Sequence, residues 1–162
     1  KVVDPSTFPD PLNNIEWKSA SDLRANGWNP NVVFNRELTL IEFSILKQGW
    51  IQPILVSKDN EIIDGFHRWM LSLNSEPLKK RYGGKVPCVV LDLEPKEAIM
   101  LTVRINRAKG THLAFRMSEL VQRLIDEESC PLEEIAEGIG ADLSEVRLLA
   151  TGIAWRPRAP PA

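Results

Sequence analysis

The sequence contains few of the residues on which several common chemistries depend. Its 162 residues include two cysteines, two histidines and one tyrosine. Cys88 lies in an apolar run and Cys130 precedes a proline, and neither has the spacing of a zinc site or a disulfide framework. We therefore expect both to be reduced structural thiols and do not expect a cysteine-based metal centre.

Long hydrophobic runs are missing as well. No stretch approaches the roughly 18 apolar residues that suggest a membrane span. No membrane partner is therefore expected, and a cytoplasmic location is the default. The composition, 43% hydrophobic and 26% charged, is that of an ordinary globular chain. A length of 162 residues allows one medium domain, or one domain with a small appendage.

Positive charge is scarce in one part of the chain. Residues 1–115 carry fifteen Lys or Arg against thirteen Asp or Glu, residues 116–150 carry three against nine, and the remaining residues add two arginines. The net charge of −2 is thus distributed as +2, −6 and +2. This asymmetry bears on any interaction with nucleic acid.

Apolar periodicity predicts strands and helices in the first two thirds of the chain. Runs rich in β-branched and apolar residues predict strands near 14–18, 51–57, 61–64 and 86–91, the middle two joined as a β-hairpin. Helical spacing predicts helices over 39–48, over 66–73 and from Pro95, the first behind a capping box of Thr39 and Glu42. The basic, glycine-containing stretch 76–85 is predicted to be a surface loop.

From residue 116 onward the pattern is helical only. Two short helices at 131–139 and 143–150, joined by a glycine turn, form a helix-turn-helix pattern. The predicted fold class is α+β, a small mixed β-sheet with flanking helices followed by an all-α helical domain. The predicted boundaries are an extended arm at 1–14, the α+β domain at 15–114, the helical domain at 115–151 and a flexible tail at 152–162.

The run from Asp64 to Arg68 has the composition of an anion site. An apolar strand leads into Gly65, which permits a tight turn, and a helix begins immediately afterwards. The first amides of a helix and its positive dipole end favour phosphate, and Arg68 and His67 add side-chain donors. A second candidate spans 104–112, where basic residues surround a glycine. Neither segment has the Gly-Lys-Ser/Thr ending of a Walker loop. The alternative is that His67 and Arg68 only cap the helix or pair with nearby acids.

Three segments in this order resemble the ParB/sulfiredoxin superfamily: Lys47 to Val56 (KQGWIQPILV), Ile63 to Arg68 (IDGFHR) and Asn106 to His112 (NRAKGTH). The helices at 116–150 look like the helix-turn-helix part that follows in ParB-like proteins. The resemblance implies that the segment matching 64–68 cradles nucleotide phosphates and that the segment matching 104–112 completes the pocket. The implied nucleotide-binding residues are Gln52, Gly65, Phe66, His67, Arg68, Arg104, Asn106, Arg107, Gly110, Thr111 and His112.

Two departures from the superfamily pattern narrow the implied activity. Sulfiredoxins have a catalytic cysteine where this chain has Phe66, and without a thiolate their reductase chemistry has no nucleophile. Chromosome-partitioning ParB proteins have a glutamate where this chain has Ile105, which weakens an expectation of efficient CTP hydrolysis. The Asp-Gly-X-His-Arg pattern is closer to members that use adenine nucleotides. ATP or ADP is therefore the first expectation and CTP the second, with Mg²⁺ near Asn106.

An enzymatic alternative is a small-molecule kinase or NTPase of the free-serine-kinase type. A kinase needs an acid or base beside the acceptor hydroxyl. The candidates are Asp64, which adjoins the phosphate turn, and Glu37, which is predicted in the loop before the helix at 39–48. The competing interpretation of Glu37 is a solvated loop acid. A third hypothesis is an interaction module with a degenerate pocket.

DNA is a further expected partner, but the helical part is poorly charged for it. DNA binding depends first on cations that neutralise phosphates, and Arg147 is the only cation on the second helix of the predicted helix-turn-helix. The sequence leaves two possibilities. The helical part packs on the first domain, on a protein partner or on a second copy, or DNA is bound elsewhere, for example by Lys79, Lys80, Arg81 and Lys85.

Overall fold

The computed structural model describes residues 2, 4, 6, 7, 9–25, 35–109 and 114–151, with the backbone alone for 114–116. The strands are β1 (Ile15–Ser19), β2 (Ile54–Ser57), β3 (Ile62–Asp64) and β4 (Lys85–Leu91). The helices are α1 (Arg36–Gln48), α2 (Phe66–Asn74), α3 (Glu76–Tyr82), α4 (Pro95–Ala108), α5 (Ala114–Asp126), α6 (Leu132–Ile139) and α7 (Leu143–Thr151). Short 3₁₀ turns cover Pro11–Asn13 and Ala20–Asp22.

The four strands form one mixed sheet in the order β1, β4, β2, β3. β4 pairs antiparallel with β1 and parallel with β2, and β2 pairs antiparallel with β3. The β2–β3 hairpin turns through Asn60, which has a positive φ of 64°. The predicted strands, the hairpin and the α+β class with a mixed sheet are therefore confirmed.

The described residues separate into two compact units, one up to Asp92 and one from Leu93. The buried core of the first contains residues of β2, α2, α3 and β4, among them Ile54, Leu71 and Leu78, each at most 2% exposed. The second has its own core from α4 to α7. This division places α4 with the later helices, whereas the sequence pattern placed the boundary at 114/115.

Two local predictions were wrong. The stretch predicted as a surface loop contains α3, because the Ser75 hydroxyl accepts a hydrogen bond from the Leu78 amide and the Leu78 side chain is buried. Helix α1 begins before the predicted capping box, at Arg36, where the side chain of Asn35 accepts from the Leu38 amide. Glu37 therefore lies exposed in the first turn of α1 and not in a preceding loop.

Candidate functional site

The turn between β3 and α2 has a backbone conformation that glycine adopts with little strain. Other residues adopt it only with considerable strain. Gly65 has φ 98° and ψ 24°, in the left-handed region that favours glycine. A Cβ at this position would lie 3.1 Å from the Ile54 Cγ1 and 3.3 Å from the Ile54 Cα. The backbone of the turn thus packs directly on β2. The N-cap residue of α2 is Gly65, which has no side chain, and the first amides of an α-helix have no partner within the helix.

Arg68 ties this turn to the segment before β2. Its Nη1 donates to the backbone oxygen of Gln52 at 2.9 Å and to the Gln52 Oε1 at 3.2 Å. Its Nη2 lies 3.9 Å from the Asp64 Oδ2, and the side chains of Arg68 and Asp64 are 15% and 21% exposed. Burial lowers the pKa of the Arg68 guanidinium, and the Asp64 carboxylate opposes that shift. The predicted residues Gln52, Asp64, Gly65 and Arg68 are therefore brought together.

The two residues between Gly65 and Arg68 differ in exposure. His67 is exposed, while Phe66 is half-buried and packs edge-on against the His67 ring, with centroids 5.8 Å apart. Further along α2, the Trp69 Nε1 donates to the Ala20 backbone oxygen at 2.7 Å. This buried bond holds the helix against the first 3₁₀ turn after β1, so the position of the exposed histidine is set by a fixed scaffold.

The cations of the second predicted segment are held within the second unit. The Arg107 guanidinium binds both carboxylate oxygens of Glu145 on α7 and donates to the Gly140 backbone oxygen at 3.3 Å. Arg104 donates to the Gly138 backbone oxygen at 2.6 Å. Asn106, the predicted metal ligand, is half-buried on the same helix. Gly110, Thr111 and His112 lie outside the described residues.

The four cations of the predicted DNA-binding group now belong to α3 and the start of β4. Lys79 lies 3.2 Å from the Glu76 carboxylate, and Arg81 donates to the Leu46 backbone oxygen. Lys80 and Lys85 are exposed. Arg147 is exposed on α7, two positions after Glu145 in the first turn of that helix.

The described residues contain neither a candidate metal cluster nor a candidate membrane span. In this part of the chain, His, Cys, Asp and Glu side chains do not converge in groups of three or more that could hold a metal ion. No helix within these ranges has the length and apolar character required to cross a membrane.

Sequence patterns did not reveal the aromatic row on the first unit. The Trp17 and Tyr82 rings stack with centroids 5.9 Å apart, and Trp50 meets Tyr82 edge-on at 6.3 Å. These residues are far apart in the sequence, and no motif links them. Trp17 is 49% exposed, so the row ends at the surface of the first unit.

Comparison with known proteins identifies relatives of this chain. No protein-family model matches it. YbdM of Escherichia coli K12, described as an uncharacterized protein, is 36% identical over 141 residues, which cover 85% of this chain and 67% of YbdM. The chromosome-partitioning protein ParB of Myxococcus xanthus is 33% identical over 129 residues, covering 75% of this chain and 42% of that protein. A probable ParB of Vibrio cholerae is 30% identical, and the match covers 79% of this chain and 43% of that protein.

Solved structures of ParB proteins are also similar. Caulobacter crescentus ParB complexed with CTP-gamma-S is 22% identical, with a TM-score of 0.43, over 88% of this chain and 80% of that one. A Pnob8-like ParB-N domain is 16% identical, with a TM-score of 0.49, and the match covers 86% of this chain and 61% of that domain.

The chain belongs to the ParB/sulfiredoxin superfamily and has a ParB-like fold. Within that superfamily it is a member of the family that contains YbdM. It spans about two thirds of the length of YbdM and less than half of the two ParB relatives named above.

Proposed function

We propose that this chain is a nucleotide-binding, ParB-like protein whose site for the nucleotide phosphates is the turn between β3 and α2. The observation that carries the proposal is the conformation of Gly65, whose positive φ and close packing on Ile54 favour glycine over any residue with a side chain. A glycine turn followed directly by the N-terminus of a helix is an arrangement by which proteins approach phosphate closely. The sequence similarity to ParB proteins supports the same assignment.

Arg68 and His67 have separate roles in this proposal. Arg68 is mostly buried and engaged with Gln52 and Asp64, so it fixes the turn and contributes its positive charge at short range. His67 is exposed at the start of α2 and can reach a ligand without breaking a core contact. A bound triphosphate would also supply oxygens to Mg²⁺, which commonly uses few protein ligands.

The base and the consequence of binding complete the proposal. ATP or ADP is the first candidate, because of the Asp-Gly-Phe-His-Arg pattern, and CTP is the second. Nucleotide occupancy would change how the helical part or a partner is presented, and DNA association is proposed from the ParB relatives. Asp64 is engaged with Arg68 and Glu37 is exposed on α1. Neither observation assigns a catalytic base, so the kinase alternative depends on a measurement of turnover.

The nucleotide site is tested by thermal unfolding with ATP, ADP or CTP, each with and without Mg²⁺. A ligand at roughly a hundredfold excess over its Kd should raise Tm by about 5–10 °C for a chain of this size. His67→Ala should leave the ligand-free Tm unchanged and reduce the shift. Arg68→Ala should lower the ligand-free Tm and abolish the shift. Lys80→Ala, which removes an exposed cation from α3, is the matched control and should behave as the wild type.

Full ligand-induced stabilisation in Arg68→Ala would mean that the phosphates bind elsewhere. Measuring formation of the nucleoside diphosphate from ATP or CTP, and of the nucleoside monophosphate from ADP, with and without serine or DNA, separates binding from turnover. Turnover that depends on a small hydroxyl acceptor would favour the kinase alternative over the regulator.

A further inference from the structure

The outer edge of β1 is open in the part of the chain that the structure describes. Among the described strands, β1 is at one end of the sheet and pairs only with β4. Its five pairs with β4 run without a register shift, and it contains no proline. Proteins commonly blunt such edges with bulges, prolines or charges, because an edge strand presents unpaired backbone groups. Within the described residues, the protection of this edge is limited to the charged side chains of Glu16 and Lys18.

The hydrogen-bonding direction along β1 follows from two observations. The Ala20 amide donates to the Gly84 backbone oxygen at 2.9 Å, so the backbone groups of Ala20 point toward β4. Trp17 is paired with Pro87, which has no amide hydrogen and cannot complete a mutually bonded pair. Because backbone groups of an antiparallel strand alternate in direction, those of Trp17 and of the residues two positions away on either side point outward.

The side chains along this edge are self-complementary. Ile15 and Trp17, which are 40% and 49% exposed, lie on one face of the strand. Glu16 and Lys18 lie on the other face, and their own carboxylate and ammonium groups are 3.9 Å apart. In an antiparallel pairing of two copies centred on Trp17, each Glu16 is directly opposite the Lys18 of the other copy. Moving the centre to Glu16 or to Lys18 would instead place like charges opposite each other.

We propose that β1 is a self-association edge, on which a second copy of this chain pairs antiparallel with its two-fold axis at Trp17. Trp17 then exchanges both backbone hydrogen bonds with its equivalent and packs against it on one face of the joined sheet. Two symmetry-related pairs of Glu16 and Lys18 set the register on the other face. The contact is isologous, as a closed dimer requires. It is independent of the proposed nucleotide site.

Sedimentation over a concentration series tests this assignment. The wild type should show a concentration-dependent rise in mass from one chain toward two. Glu16→Lys and Lys18→Glu should each weaken this association roughly tenfold or more, because every cross-strand pair becomes repulsive. An equimolar mixture of the two variants should associate again, because each chain then offers the charge that the other needs.

Two controls isolate the edge. Lys18 also donates to the Asn60 Oδ1 at 2.7 Å, so Asn60→Gly removes that bond and suits the positive φ, and it should still dimerise. Lys80→Glu reverses a charge away from β1 and should dimerise as well. If a reversal prevents folding, as judged by urea unfolding, Glu16→Gln provides a milder weakening. A wild type that stays monomeric at every concentration, or a mixture that associates no better than its components, would overturn the proposal.

Discussion

Gly65 and Arg68 show how two neighbouring residues can serve one site in different ways. Gly65 contributes by lacking a side chain, since any Cβ would meet β2. Arg68 contributes by holding Gln52, which lies 16 positions earlier in the chain. Its guanidinium has lost most of its water, which lowers its pKa, and the neighbouring Asp64 carboxylate opposes that effect. Phosphate binding would therefore use a backbone surface that exists before the ligand arrives.

Gly65→Ala tests this view at the residue scale. Alanine at this site meets both an unfavourable φ and the contact with Ile54, so we expect a loss of about 2–4 kcal/mol in the free energy of unfolding, measured with urea. Gly83→Ala is the matched control, because Gly83 also has a positive φ of 63° but its added Cβ would meet no described atom within 4 Å. The control should lose only about 1 kcal/mol. Equal losses would show that packing on Ile54 contributes nothing.

At the scale of single elements, the segments with regular apolar spacing were predictable from the sequence. The β2–β3 hairpin, α2 and β4 have such spacing, and all were confirmed. Helix α3 was missed because its seven residues are mostly polar and Leu78 is its one buried residue. What identifies it is the Ser75 cap together with burial of Leu78, and burial depends on the rest of the fold.

The candidate site also has parts that were predictable from the sequence and parts that were not. The glycine turn and the helix start after β3 were predictable, because strand, glycine and helix follow one another in the sequence. The bonds from Arg68 to Gln52 were not, because they depend on where β2 lies beside α2. The engagement of Arg107 with Glu145 joins residues 38 positions apart, and no local pattern announces it.

The start of α1 gives a test at the element scale. The structure assigns the cap to Asn35, whereas the sequence pattern assigned a capping box to Thr39 and Glu42. Asn35→Ala should therefore reduce the free energy of unfolding by about 1 kcal/mol, measured by urea denaturation. Glu42→Ala, within the same helix, should change it by less than about 0.5 kcal/mol. A larger loss in Glu42→Ala than in Asn35→Ala would support the predicted capping box instead.

At the scale of the whole chain, charge is divided between its parts. Residues 116–150 carry a net −6, and the Arg107 guanidinium is already engaged by Glu145. In the first unit, Lys80 and Lys85 are exposed. Any DNA contact made by this chain should therefore use the first unit more than α7, since phosphate neutralisation supplies most nonspecific affinity.

The prediction is that Lys80→Glu combined with Lys85→Glu reduces DNA affinity at least about tenfold and makes binding less dependent on salt. Titration of labelled duplex DNA at several salt concentrations measures both effects. Arg147→Glu is the control and should have a much smaller effect. A larger loss in Arg147→Glu than in the double variant would return DNA recognition to α7.

The order of strands in the sheet has a consequence for synthesis of the chain. β4 is the last of the four strands to be made, yet it lies between β1 and β2 and is the strand with which β1 pairs. The β2–β3 hairpin and α2 can form while the chain is still growing, but β1 must wait until residue 89 is available to pair with Ile15. During that interval neither edge of β1 has a partner from its own sheet. A nascent chain stopped before β4 should therefore be the form of this protein most prone to aggregate.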